Sequence, residues 1–350
     1  MLRDLLPTTT LMAPAIPNSP DSCSAAAPPT DLRDIDIDIP VFDLSHIQSE
    51  RQAGEGFDPD YEENLLLSEF RRCCEDWGCF RLTNHGIPDA LIGRVETLCR
   101  NVFKLPTETK EKNVSTVPYG GYIQGGSAAP FYESLGIGPH FEAIHEFSDL
   151  MWPHGNENFC QVMREYLEKK KELCDRIHKI ILASLGVSNY YASHFEHCKL
   201  WFRMNEYQVS CDESSGLISL PAHTDGGSIA ILHEDEVGGL QVLSKAGNWV
   251  NVKPTPNSFI VFLGDTLQAW SNKRFHSGKH RVIVKGRQSR LSLAFFTLFL
   301  DETAIDAPPE LVDNEHPRHY RAFHYPEYIA SKAANTITGE WENMLDAYAA

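Results

Sequence analysis

The chain lacks any long apolar run. No uninterrupted apolar stretch approaches the roughly 18 residues of a membrane-spanning helix, so no membrane span is predicted. Basic residues are scarce too: 31 Lys and Arg stand against 48 Asp and Glu, which gives a formal net charge of −17. That charge argues against nucleic acid or an anionic membrane as a partner, because both are themselves negatively charged. An anionic substrate would need a locally basic pocket.

A disulfide framework is missing as well. The nine cysteines are odd in number and include no Cys-x-x-Cys pair. No secretory signal is predicted, and free cysteines of this kind are typical of a reducing compartment. We therefore expect a cytoplasmic protein, and we expect it to act as a monomer.

The remaining composition is that of a globular protein. Hydrophobic residues make up 42% of the chain and the mean hydropathy is −0.31, so the chain can bury a sizeable core. Residues 1–34 are rich in Pro, Ala, Ser and Thr without any periodic pattern, and they are predicted to be a disordered tail. Their acidic residues argue against a plastid transit peptide.

Helical periodicity marks three stretches in the first half of the chain. Residues 61–77, 88–105 and 157–185 each carry an apolar stripe at helical spacing. Gly186 is a suitable stop for the third helix. The charged cluster at 168–172 is predicted to be the solvated face of that helix. Another helical stretch is expected at about 328–349.

Between Trp201 and Phe299 the pattern changes to short strand-like runs separated by turn signals. Regular short strands of this kind favour a jelly roll of two sheets. The chain therefore divides into a tail (1–34), an N-terminal region with a lid loop (35–155), a long packing helix (156–195), a core (196–302) and a C-terminal helical extension (303–350).

The lid is predicted from residues 115–155, which are irregular, aromatic and rich in glycine. A loop of that length in a compact domain is usually functional or disordered, and the aromatic residues favour a functional lid. Its candidates for contact with a substrate are Tyr119, Tyr122, Phe131 and Tyr132.

A metal site is predicted from His223, Asp225 and His280. Two imidazoles and one carboxylate on one face of a metal, with the other positions open, are the ligands of non-haem Fe(II) oxygenases. His223 and Asp225 are predicted to lie in one strand, which Gly226 and Gly227 end, and therefore to project to the same face. His280 heads a separate strand-like run and would come from a distant strand of the same sheet.

Two other histidines compete for the position of the third ligand, namely His233 and His276. A spacing of four residues between His276 and His280 would matter on a helix. Gly278 between them argues against a helix there.

A carboxylate site is predicted ten residues beyond His280. Arg290 and Ser292 share one face of a predicted strand. Arginine binds a carboxylate through two parallel hydrogen bonds, and the serine hydroxyl adds a third donor.

The ordered set of these residues resembles the plant-type 2-oxoglutarate- and Fe(II)-dependent dioxygenases. Further motifs of that family are Ile39–Leu44, Trp77–Phe80, Asn84–Ile87 and Asn205–Tyr207. The resemblance covers about residues 37–325. It implies a mixed α+β fold, with a cupin-like double-stranded β-helix (jelly roll) flanked by helices.

The resemblance also implies the roles of the site residues. His223, Asp225 and His280 would bind Fe(II), and His280 is the histidine that matches the family's His-Arg-Val position. The distal carboxylate of 2-oxoglutarate would bind Arg290 and Ser292. Asn205 and Tyr207 are further candidates for contact with this co-substrate. The implied reaction consumes O2, releases succinate and CO2, and uses ascorbate as the reductant.

For the main substrate, the resemblance points to the auxin-oxidising and the AOP-type branches, with gibberellin oxidases as a third possibility. We therefore expect a small, largely apolar carboxylate, either a plant hormone such as auxin or a specialised metabolite. Phe296 matches a family position that packs against the substrate. Arg203 shares a strand face with Asn205 and Tyr207 and is the candidate cation for the carboxylate. The chain departs from the family at Lys273, where glycine commonly follows asparagine.

Two other function classes remain open. A related iron oxidase that uses ascorbate instead of 2-oxoglutarate would keep the same motifs, and release of succinate would distinguish it. A metal-binding jelly roll that acts as a sensor without catalysis would not need both the metal triad and the Arg-x-Ser pair.

Overall fold

A computed structural model describes residues 38–47, 59–115, 120–125, 129, 131–209, 218–338 and 344–350. The predicted tail at 1–34 and the predicted lid residue Tyr119 lie outside these residues. No helix in the described part of the chain is both long enough and apolar enough to cross a lipid bilayer.

The described residues contain seven α-helices. They are α1 Pro59–Asp76, α2 Asp89–Phe103, α3 Thr107–Lys110, α4 Ala143–Met151, α5 Glu157–Ser184, α6 Asp265–Trp270 and α7 Tyr325–Thr338. The three apolar stripes correctly predict α1, α2 and α5. Helix α5 begins at Asn156, whose side chain accepts a hydrogen bond from the backbone N–H of Phe159. It is followed by Gly186, whose φ of +73° suits glycine.

Lys170 of α5 is buried, so the prediction that its charged cluster is the solvated face was wrong at this residue. Its Nζ atom lies 3.1 Å from the ring centre of Phe259 and is enclosed by the protein. Burial lowers the pKa of Lys170 well below its ordinary value. Successive residues of a helix are about 100° apart, so a run of five reaches every face of the helix, including the buried one.

The strands form two larger sheets and a two-stranded ribbon. In chain order they are β1 Val41–Asp43, β2 Cys79–Thr83, β3 Tyr122–Gln124, β4 Tyr132–Ile137, β5 Lys199–Tyr207, β6 Leu220–His223, β7 Ile229–Glu234, β8 Leu240–Leu243, β9 Trp249–Asn251, β10 Phe259–Leu263, β11 His280–Val282, β12 Arg290–Leu298, β13 Ala304–Ile305 and β14 Phe323–His324. The major sheet has the order β1-β2-β10-β7-β12-β5-β4-β3, and the minor sheet has the order β6-β11-β8-β9. This architecture confirms the predicted mixed α+β jelly roll.

Helices cover the outer face of the major sheet. Phe70 of α1 packs edge-on against Phe80 of β2, and Tyr166 of α5 packs edge-on against Phe202 of β5. The inner face lines a cavity that is shared with the minor sheet. With both faces covered, all nine residues of β12 are buried, which explains its nearly continuous apolar sequence.

The stretch at 115–155 is only partly a loop, so the predicted lid needs correction. It contributes β3 and β4 to the edge of the major sheet, and it contains α4. Strand β4 pairs antiparallel with β5 from Tyr132 to Ile137. The apolar pattern of β4 is interrupted by Glu133 and Ser134, two buried polar residues, which is why the strand was not predicted.

Candidate active site

A cavity of about 940 Å³ opens between the two sheets. Nearly all the predicted site residues that the structure describes lie in its wall. They are His223, Asp225, His280, Arg290, Ser292, Asn205, Tyr207, Tyr122, Tyr132, Arg203 and Phe296. Phe131 is the exception, and its backbone carbonyl accepts a hydrogen bond from the N–H of Gln208 instead. One cavity thus collects the candidates for the metal, the co-substrate and the substrate.

His223, Asp225 and His280 converge at one place in this wall. Strand β11 pairs antiparallel with β6 and puts His280 directly opposite His223, with the imidazole centres 4.3 Å apart. One ligand atom from each of the three side chains lies within 4.8 Å of the other two. The donor set and its geometry fit a single divalent iron.

Asp225 reaches this triad from a loop, so the prediction that it shares a strand with His223 was wrong. Strand β6 ends at His223. The carbonyl of Asp225 accepts a hydrogen bond of 2.8 Å from the backbone N–H of Asp265, at the start of α6. A Cβ atom on Gly264 would lie 2.1 Å from the carbonyl oxygen of Gly227, so this close approach requires glycine. The contact with α6 therefore shapes the loop that carries the carboxylate.

Backbone carbonyls orient both imidazoles. The Nδ1 atom of His223 lies 2.8 Å from the carbonyl oxygen of Pro221, and that of His280 lies 3.0 Å from the carbonyl oxygen of Gly278. A carbonyl only accepts hydrogen bonds, so each Nδ1 is the donor and each Nε2 keeps its lone pair for a metal. Burial and the neighbouring His280 lower the pKa of His223 well below its ordinary value, which keeps the imidazole neutral.

The competing histidines are engaged elsewhere. The Nε2 atom of His233 lies 2.5 Å from a carboxylate oxygen of Glu96 on α2. His276 lines a different pocket. Among the described residues, the group of His, Cys, Asp and Glu side chains that could hold a metal is the one containing His280.

Lys332 of α7 supports the loop between the first two triad residues, and it was not predicted from the sequence. Its ammonium donates to the carbonyl of Thr224 at 2.7 Å and forms an ion pair of 2.5 Å with Asp265. Tyr328 donates to the same carboxylate. Lys332 lies more than 100 residues after Thr224, and no local sequence signal connects the two.

Replacing Lys332 with methionine should loosen this loop and weaken Fe(II) binding. Loss of a group that orients a metal ligand typically costs about 10- to 100-fold in metal affinity, and we expect a loss in that range in an anaerobic calorimetric titration. Lys171→Met is the matched control, because Lys171 makes an ion pair on the exposed side of α5. Equal affinities of Lys332→Met and the unmodified protein would contradict the role given to Lys332.

Arg290 presents two unused donors to the cavity. Its side chain is fully buried, and Nη2 donates to Glu234 at 2.8 Å. The Nε and Nη1 atoms have no hydrogen-bond partner among the described residues. Buried donors without partners are costly unless a ligand accepts hydrogen bonds from them. The geometry therefore suits a bound carboxylate.

Glu234 is a second residue that the sequence analysis missed. It ends β7 directly opposite Ser292 of β12 and holds the guanidinium of Arg290 in place. Burial alone would lower the pKa of Arg290, but the Glu234 carboxylate raises it overall. Glu234 shares a strand face with Ala230 and Leu232, so its inward position could have been predicted.

Asn205 and Tyr207 lie beside Arg290 and Ser292 in the sheet. Strand pairing puts Tyr207 opposite Arg290 and Asn205 opposite Ser292. The amide oxygen of Asn205 accepts hydrogen bonds of 2.8 Å from the hydroxyls of Tyr132 and Ser134. These contacts from β4 fix the Asn205 amide next to the carboxylate site.

Arg203 supplies a second pair of unused donors. It is 4% exposed, and its Nε donates to Ser134 at 2.9 Å. Its Nη1 and Nη2 atoms have no partner among the described residues. Arg203 is four residues from Tyr207 on β5, which puts it about 13 Å along the strand from the level of Arg290. The cavity thus offers two separate positions for a carboxylate.

Comparisons with known proteins agree with this site. A family model described as the 2OG-Fe(II) oxygenase superfamily matches residues 186–298. A second, described as the N-terminal part of a non-haem dioxygenase in morphine synthesis, matches residues 39–154. All residues that line the cavity, except Ile329 and Lys332, lie within these two ranges.

Curated plant proteins are similar over most of the chain. The rice (Oryza sativa) 2-oxoglutarate-dependent dioxygenase DAO is 37% identical over 304 residues, covering 83% of this chain and 93% of its own. The Arabidopsis thaliana protein named probable 2-oxoglutarate-dependent dioxygenase AOP1 is 32% identical, covering 84% and 91%. A crystal structure of the rice dioxygenase for auxin oxidation superposes with a TM-score of 0.74 at 33% identity, covering 89% and 100%.

Proposed function

This chain belongs to the 2OG-Fe(II) oxygenase superfamily, and we propose that it oxidises a small, largely apolar carboxylic acid, with an auxin-like acid as the first candidate. Its similarity to curated 2-oxoglutarate-dependent dioxygenases makes the chain a 2-oxoglutarate-dependent dioxygenase. The observation that carries the choice of substrate is the buried guanidinium of Arg203, which has two donors without partners at a distance from Arg290.

We assign Fe(II) to His223, Asp225 and His280. The orientation of both Nε2 atoms supports this assignment. When bound, the iron supplies the redox chemistry that couples decarboxylation of 2-oxoglutarate, to succinate and CO2, to oxidation of the substrate by O2. Ascorbate is the proposed reductant, and the proposed active form is a monomer in the cytoplasm.

We assign the distal carboxylate of 2-oxoglutarate to Arg290. One of its two free donors, Nε or Nη1, would donate to this carboxylate, and Glu234 would hold the guanidinium in place. The hydroxyls of Ser292 and Tyr207 are the additional donors, because both residues adjoin Arg290 in the strand register. This arrangement orients the co-substrate and leaves Arg203 for the main substrate.

The apolar part of the substrate would lie against aromatic side chains. Tyr122, Tyr132 and Phe296 line the cavity. Their rings favour a planar or hydrophobic ligand. The hydroxyls of Tyr122 and Tyr132 already donate to Glu133 and Asn205, so these residues present mainly their ring faces.

One assay distinguishes the proposed function from the other candidate functions. A gibberellin-type oxidase or an AOP-type dioxygenase would also need a cation for an acidic substrate. An ascorbate-using iron oxidase or a metal-binding sensor would form no succinate. The test is release of succinate by purified protein with Fe(II), ascorbate and 2-oxoglutarate, against auxins, gibberellins, phenolics and sulfinyl compounds. Turnover of neutral compounds alone would contradict the proposed carboxylate.

Replacing Arg203 with methionine should affect the acidic substrate selectively. A charge-assisted hydrogen bond contributes about 1.5–3 kcal/mol, so the Michaelis constant for the acid should rise roughly 10- to 100-fold. The constant for 2-oxoglutarate should stay within about twofold, because Arg290 is untouched. Arg164→Met is the control, since Arg164 lies on the exposed side of α5. An equal effect on both constants would contradict the assignment.

A further inference from the structure

A second pocket of about 500 Å³ lies outside the active-site cavity and shares no wall residue with it. Its wall carries four permanent cations, namely Arg71, Lys245, Lys273 and Arg274. Glu75 is the single carboxylate in that wall. The whole chain has a net charge of −17, so a wall that carries mainly positive charge is unusual in this protein. Such a wall favours an anionic ligand.

The cations of this pocket are only partly neutralised. Arg71 pairs with Glu75 at 2.6 Å, and Lys245 pairs with Asp76 at 2.8 Å. The ammonium of Lys273 has no carboxylate partner among the described residues. One positive charge is therefore left over at the rim of the pocket.

Arg274 adds an unused donor deeper in the wall. Its Nη2 atom lies 3.5 Å from a carboxylate oxygen of Asp313, which is a loose ion pair. Its Nε atom is buried and has no hydrogen-bond partner among the described residues. A buried donor without a partner is costly unless a ligand or a water accepts from it.

The backbone at Lys273 has an unusual conformation just after α6, where its N–H donates to the carbonyl of Gln268 at 2.8 Å. Lys273 has a φ of +62°, in the left-handed region that glycine adopts easily and that a long side chain disfavours. The preceding residue, Asn272, also has a positive φ, but asparagine tolerates this conformation. Strain kept in this way is typical of functional positions.

Lys245 and Lys273 reach this wall from different parts of the fold. Lys245 lies in the β8–β9 turn, and Lys273 lies in the segment after α6. Besides burial, their positive charges lower the pKa of His276, which lies in the same wall.

We propose that this pocket binds a phosphate group, either as free inorganic phosphate or as part of a small phosphorylated ligand. Among the described residues of the wall, Lys273 offers an unpaired point charge and Arg274 an unused Nε–H donor. A phosphate has the double charge and the number of acceptor oxygens to engage both of them. The proposal is independent of the substrate of the active site.

Calorimetric titration of the full chain with inorganic phosphate, and separately with glucose 6-phosphate, tests this proposal. We expect both probes to bind the unmodified protein, and tighter binding of glucose 6-phosphate would identify a phosphorylated ligand as the better occupant. Lys273→Gly should weaken binding of both probes roughly tenfold or more. Glu75→Gln should tighten binding, because it removes the carboxylate from the wall.

A matched control separates binding from backbone strain. Asn257 also has a positive φ, of +53°, and lies outside the pocket wall. Asn257→Gly should therefore leave phosphate binding unchanged. Lys273→Gly should unfold at a temperature no lower than the unmodified protein, because glycine suits this backbone. Absence of binding at millimolar phosphate, or equal binding by Lys273→Gly, would overturn the proposal.

Discussion

Arg290→Met should raise the Michaelis constant for 2-oxoglutarate roughly 30-fold or more. Removing one partner of a buried, hydrogen-bonded charge pair costs about 2–5 kcal/mol, and 1.4 kcal/mol corresponds to a factor of about ten. The arginine is fully buried and offers Nε and Nη1 to the cavity. Initial rates of succinate formation at varied 2-oxoglutarate give the constant directly.

Two further variants separate this role from a loss of folding. Arg290→Lys keeps the charge opposite Glu234 but loses the planar fork, so it should show an intermediate constant. Arg94→Met removes an arginine from an exposed ion pair with Glu165 and should behave as the unmodified protein does. An unchanged constant in a folded Arg290→Met protein would remove Arg290 from the co-substrate site.

His280→Ala should abolish turnover and lower Fe(II) affinity by more than about 100-fold. Changes to groups that merely orient a ligand already cost about 10- to 100-fold, so loss of the ligand itself should exceed that range. Iron content and anaerobic calorimetry measure the effect. His145→Ala, an exposed histidine on α4, is the control. Retention of iron and turnover by His280→Ala would refute the assignment.

The sequence predicts the histidines of the site better than it predicts the support of Asp225. His223 and His280 follow from the order of motifs, and strand pairing places them directly opposite each other. Asp225 was expected on the same strand face, whereas a contact with Asp265 at the start of α6 places it. That contact joins residues 40 positions apart, so local spacing does not reveal it.

At the two carboxylate sites, too, the arginines were predicted from the sequence and their hydrogen-bond partners were not. Arg290 and Arg203 were identified from strand faces, and both side chains point into the cavity. Their partners Glu234 and Ser134 were missed. A buried polar partner interrupts the apolar pattern from which strands are predicted. A strand that carries such a residue is therefore difficult to predict from the sequence. Strand β4, which carries Ser134, lies within the stretch that is predicted to be a lid loop.

Burial of charged residues is the weakest point of prediction from periodicity. Lys170 lies within a charged run and yet packs its ammonium against Phe259. Its burial depends on the apolar and aromatic surroundings supplied by other elements, including β10, and no pattern within α5 contains that information. The same limit applies to Lys332, whose partners come from the loop after β6 and from α6.

A crystal structure of the full chain grown without oxygen, with Fe(II) and 2-oxoglutarate bound, tests the central claim most directly. The account predicts one anomalous iron peak about 2 Å from Nε2 of His223, Nε2 of His280 and a carboxylate oxygen of Asp225. It also predicts a hydrogen bond from Arg290, through Nε or Nη1, to the distal carboxylate of 2-oxoglutarate. Iron at another position, or a co-substrate that leaves Arg290 without contact, would contradict the account.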